Sequence, residues 1–179
     1  MRTLENRSAE HMRFIWRTYL EPLLDYSSQL YSPSSGGSLA RLESLLESFT
    51  GKIRGYDCLT YWERLEKLKV YSLTRRFERY KLLYCMKILN KETQNCGLSW
   101  KYSPDTGILF DVPKFGKLYT KERKQYFNYM GPSLFNSLPL YLRKEITDSS
   151  GWKVSLDKFL ENIPDNPITA KITNGSAMP

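Results

Sequence analysis

The strongest constraint on the fold lies in the middle of the chain, where residues 60–89 read TYWERLEKLKVYSLTRRFERYKLLYCMKIL. Thr60 followed by Glu63 is a capping box, in which each side chain meets an orphan backbone donor of a helix start. Behind it Tyr61, Leu65 and Leu68 fall on one face of a short helix, with Glu63 and Lys67 at i, i+4 on the outer face. Ser72 can cap a longer helix over 73–89, where Leu73, Phe77, Tyr80 and Tyr84 form a stripe with Arg75, Arg76 and Arg79 on the other side. Two capped helical segments in direct succession favour helix packed on helix over a sheet architecture.

The flanking sequence extends the pattern. From Ser8, residues Met12, Ile15, Trp16 and Tyr19 recur at helical spacing, and Leu23 continues the stripe past Pro22, where the helix should kink or restart. A small-residue loop over 32–37 leads to Ser38 as the next cap, followed by Leu39, Leu42, Leu45, Leu46 and Phe49 on a buried side. After Asn95 repeated glycines and prolines break the chain, so residues around ILFDV (108–112) fit a single hairpin within loop. In GPSLFNSLPLYLRKE (131–145), Gly131-Pro132 can open one helical turn and Ser137 cap a second, with Leu138, Leu142 and Ile146 on its inner face. A polar DSSG linker (148–151) then precedes a last amphipathic helix bearing Leu156, Phe159, Leu160 and Ile163. The fold expected is mainly α: a helical bundle over 1–95, an irregular segment with a possible short hairpin plus C-terminal helices over 96–167, and a disordered tail over 168–179. The exposed-or-buried fate of Trp16, Trp62 and Trp152 stays open, with burial the commoner outcome.

Chemistry is constrained mainly by what the sequence lacks. His11 is the only histidine, which leaves no set of imidazoles for a metal site or a relay. Two acidic residues are never adjacent, so the paired carboxylates that hold two Mg²⁺ ions in nucleotidyl transfer are missing. Glu43 with Glu47, and Glu63 with Glu66, share helix faces as ordinary solvated charge. Cys58, Cys85 and Cys96 are odd in number and lack metal-ligand spacing, so they read as reduced thiols. Neither a signal peptide nor an apolar run of membrane-spanning length occurs, which places the protein inside the cell, in the nucleus or cytoplasm.

The net charge of +8 is concentrated: residues 51–100 carry eleven basic and five acidic side chains. Lys52, Arg54, Arg64, Lys67, Lys69, Arg75, Arg76 and Arg79 alternate with aromatic residues over this stretch. Such a face can neutralise phosphates and release counterions, or it can be a solvated helix surface, and composition leaves both open. Tyr61, Trp62, Tyr71, Phe77, Tyr80 and Tyr84 could stack on bases, although their helical spacing favours core packing.

Taken in order, EPLLDYSSQLYSP (21–33), LARLESLLESFTGKI (39–53), LTYWERLEKLKVYSLTRRFERYKLLYCMKIL (59–89), GPSLFNSLPLYLRKE and LDKFLENIPDNP (156–167) resemble the region that follows the catalytic palm in reverse transcriptases of animal non-LTR retrotransposons. The resemblance runs nearly end to end. It implies a polymerase thumb and C-terminal extension, helical modules that grip an RNA/DNA duplex by its phosphate backbone and pack near the palm. Carried over by position, it offers Arg64, Lys67, Lys69, Arg75, Arg76 and Arg79 as nucleic-acid-binding residues. The family's Tyr-x-Asp-Asp motif is absent, so no catalytic or metal residue is expected, no cofactor is expected beyond the Mg²⁺ of a complete parent polymerase, and neither a membrane nor a small-molecule substrate is expected as partner. The alternative is a helical protein-interaction domain or structural relic with no nucleic-acid role.

Overall fold

Ser8 starts the first helix by accepting the His11 N–H on its Oγ at 3.4 Å, and α1 (Ala9–Ile15) follows. A π-helical turn, Trp16–Leu20, comes next, closed by the Glu21 N–H donating to the Trp16 carbonyl. Pro22 has no N–H to continue an α ladder, and it sits instead in the first turn of α2 (Glu21–Asp25), so the helix restarts as the sequence predicts. The computed structural model describes residues 5–26, 36–114, 126–144 and 149–165, and these form a mainly helical molecule with a two-stranded sheet.

α3 (Gly36–Thr50) begins earlier than expected, so Ser38 lies inside it and is not its cap. Leu46 is buried as expected, but Leu45 is 65% exposed, because the helix presents only a narrow stripe to its neighbours. α4 (Tyr61–Leu68) carries the expected capping box, with the Glu63 carboxylate accepting from the Thr60 N–H at 2.7 Å. It ends where Lys69 adopts the left-handed conformation at φ 52° and the Val70 N–H returns to the Leu65 carbonyl. Ser72 caps α5 (Leu73–Leu89) through the Arg75 N–H.

The hairpin is present. β1 (Trp100–Ser103) and β2 (Gly107–Phe110) pair antiparallel, with Trp100 opposite Phe110 and Ser103 opposite Gly107. The outer edge of β2 is met by Asn136, whose amide accepts from the Phe110 N–H at 2.9 Å and donates to its carbonyl at 2.8 Å. Gly107 has φ +67°, and an added Cβ would lie 2.9 Å from the Arg143 backbone, so turn geometry and close approach both require glycine there.

Three boundaries near the C-terminus differ from expectation. α6 (Phe127–Asn136) starts upstream of Gly131, which places Pro132 inside the helix, and the Ser137 hydroxyl donates to the Leu134 carbonyl, closing that helix instead of capping the next. α7 (Leu140–Lys144) follows; Ile146 lies outside the described residues. α8 (Ser149–Glu161) takes in Ser149–Gly151, which the sequence suggests as linker. The expected tail over 168–179 is also outside the described residues.

α5 joins two packed regions. Its first half contributes Leu73 and Phe77 to a cluster with Trp16, Leu46, Tyr61 and Leu65. Its second half contributes Leu82, Cys85, Met86 and Ile88 to a larger core with the hairpin and α6 to α8. A third, smaller cluster joins Met12, Ile53, Tyr56 and Leu68. Trp16 and Trp152 are buried and Trp62 is half-buried. Among the described residues, no helix is long and apolar enough to cross a membrane.

Candidate nucleic-acid interface

A helix flanked on several sides has little solvent face, and this decides the fate of the arginines on α5. Arg75 is 0% exposed; its Nη2 donates to the Pro164 carbonyl at 3.1 Å, and its Nε lies 3.9 Å from Asp165. Arg76 is 9% exposed and grips Asp25 with two hydrogen bonds of 2.6 Å, from Nε and Nη2. Glu21 adds a second carboxylate to Arg76, while the Tyr80 hydroxyl donates to Asp25 at 2.7 Å. Arg79 makes the same two-pronged contact with Asp157, at 2.6 and 2.8 Å. Burial works against the charge of Arg76 and of Arg79, but the hydrogen bonds and charges of Asp25 and Asp157 outweigh it and raise both pKa values above the ordinary arginine value.

These placements differ from the expectation carried over with the resemblance. Arg75, Arg76 and Arg79 do not face outward to phosphates; each holds a different segment onto α5: the chain after α8, α2, and α8 itself. Arg64 is also engaged. Its guanidinium donates to the Leu59 carbonyl at 3.2 Å and the Glu47 carbonyl at 3.2 Å, tying the start of α4 to the end of α3.

Lys67 and Lys69 are exposed. Lys67 holds its Nζ 4.9 Å from the centre of the Tyr56 ring, a cation–π contact that leaves the ammonium at the surface. The buried side of that ring belongs to the turn at residues 51–57, whose Ile53 and Tyr56 pack against Met12 and Leu68. The same turn carries the exposed Lys52 and Arg54, and the Arg54 N–H donates to the Arg7 carbonyl at 2.9 Å. Arg7, Lys52 and Arg54 line an open cavity of about 490 Å³, with Glu5 and Asp57 also on its wall. Lys52 and Arg54 are thus carried on a packed turn that Lys67 meets through Tyr56; Lys69 lines another cavity, with Glu63 and Glu66.

Sequence reasoning grouped Arg64 to Arg79 as one basic face and passed over the acids that neutralise it. Asp25 lies 51 residues from Arg76 and Asp157 lies 78 from Arg79, beyond any local pattern. Glu43, expected from the sequence to be solvated charge, is instead engaged in the fold. Half-buried, it accepts from the Tyr61 hydroxyl and from the Leu73 and Thr74 N–H groups at 3.2 and 3.3 Å, placing a carboxylate at the positive end of α5. Burial raises its pKa, and those three hydrogen bonds oppose the shift. Among the described residues no group of three His, Cys, Asp or Glu is arranged to hold a metal ion. No protein-family model matches the chain, and comparison with curated proteins and with solved structures gives no significant match.

Proposed function

We propose that this chain is a non-catalytic part of an RNA-directed DNA polymerase of the non-LTR retrotransposon kind, which holds an RNA/DNA duplex by its phosphate backbone while bond formation belongs to the complete parent and its Mg²⁺. The observation that carries this reading is the corner at Lys52, Arg54 and Lys67, where exposed cations sit on a well-packed support and, among the described residues, join no ion pair. Exposed cations carried on a packed turn can neutralise phosphates and release their counterions. The sequence resemblance supports the same reading, and intracellular residence, in nucleus or cytoplasm, goes with it.

A second reading, a helical domain that contacts protein only, is favoured by one feature. Phe14, Tyr19, Leu23 and Tyr26, running from α1 through the π-helical turn to the end of α2, are all more than half exposed, apolar surface fit for another protein such as the absent palm. Mobility shift of an RNA/DNA duplex separates the two. Duplex binding predicts a shift that weakens with added salt, with the slope of log K against log salt reduced by roughly 0.9 for each cation reversed in K52E/R54E/K67E. Absence of any shift at low salt leaves the protein-only reading.

A further inference from the structure

A cavity of about 660 Å³ opens between α4 and the end of α8. Its apolar walls include the half-buried Trp62, Tyr71 and Ile163. Around them stand the exposed carboxylates Glu63, Glu66 and Glu161, with Lys69 the cation among the described lining residues. In a chain of net charge +8, this is a local reversal of sign. The Thr60 hydroxyl and N–H hold the Glu63 carboxyl below its ordinary pKa, so it stays ionised at neutral pH. The wall is structurally fixed: Asp165 accepts from the Ser72 N–H at 2.6 Å and from its hydroxyl at 2.8 Å, anchoring the chain beyond α8 to the start of α5.

We propose that this groove docks a basic peptide segment, a Lys- or Arg-rich stretch carrying one apolar anchor, from a protein partner. The occupant follows from complementarity. An apolar floor rewards burial of one aliphatic side chain, and a rim of negative charge attracts flanking cations and repels phosphates. The carboxylates do not form a set that could chelate a metal, among the described residues, so their field acts over the length of the groove and not at a point. Aromatic rings beside the rim add favourable contact for an arginine or lysine lying over them. The groove and the cavity beside Lys52 and Arg54 are lined by different residues.

The probe is a fluorescein-labelled peptide, KRKLKRK, titrated into the full chain and followed by anisotropy, with KRKSKRK and EDELEDE as controls. Saturable binding of KRKLKRK is expected, stronger than either control and weakened about tenfold by E66K/E161K, two exposed positions whose reversal leaves the core intact. W62F should lower affinity with an unchanged circular dichroism spectrum, and K52E/R54E, at positions outside the groove, should leave peptide binding as it is. Equal affinity of wild type and E66K/E161K, or equal binding of the leucine and serine peptides, overturns the proposal. So does binding that appears only after deletion of residues 166–179, since the groove would then serve the chain's own C-terminus.

Discussion

At the scale of single residues, a charged group's role is set by what faces it. Arg76 and Lys67 both sit on helices of a basic segment, yet one is enclosed by Asp25, Glu21 and Tyr80 while the other rests on the surface of Tyr56. Removing one member of an enclosed pair strands the other, so Arg76→Ala should cost about 2–4 kcal/mol of stability in urea unfolding. Lys67→Ala should change it by less than about 0.5 kcal/mol. Equal effects would place Arg76 at the surface. Glu63 supplies a pH signature. Its folded pKa lies below the ordinary glutamate value because Thr60 donates two hydrogen bonds to the carboxylate. Between the two values the unfolded chain binds a proton that the folded chain does not. The contribution is therefore complete above the ordinary value, near pH 4.3, and is lost as pH falls through the folded one. Thermal midpoints recorded from pH 6 to 3 should drop more steeply for the wild type than for Glu63→Gln. Parallel curves would mean that the cap does not titrate.

At the scale of elements, close approach matters as much as period. α6 lies against α5 at Gly131, where an added Cβ would come within 2.7 Å of the Phe127 ring and 3.1 Å of the Cys85 sulfur. The Phe127 ring is itself packed edge-on against Tyr84, so it cannot easily yield. Gly131→Ala should cost about 1–3 kcal/mol by overpacking, measured by chemical denaturation, whereas a neutral result would mean that α5 and α6 pack less closely. The caps at Thr60 and Ser72 are legible in the sequence because their partners lie three residues away. The hairpin was legible from its Gly and Pro punctuation. Pro132 misled because a proline suits a helix start, and only the upstream packing of Phe127 reveals that the helix has already begun. The arginine row misled for a related reason: period assigns a residue to a face, but the elements covering that face come from distant sequence.

At the scale of the whole molecule, α5 contributes to the two larger packed clusters, and its arginines are the polar means by which α2, α8 and the chain after α8 are held to it. Basic charge in this protein is thereby divided between interior pairing and an exposed corner, while a groove of opposite sign lies elsewhere. Triple reversal R75E/R76E/R79E should consequently unfold the chain in circular dichroism, not yield a folded protein that merely fails to bind. The division of charge is tested most directly by covalent footprinting of lysine and arginine side chains, read by mass spectrometry with and without an RNA/DNA duplex at low salt. The expected result is that Lys52, Arg54 and Lys67 react in the free protein and are protected by the duplex, while Arg75, Arg76 and Arg79 resist modification in both states. Reactive arginines on α5 that become protected by the duplex would contradict it.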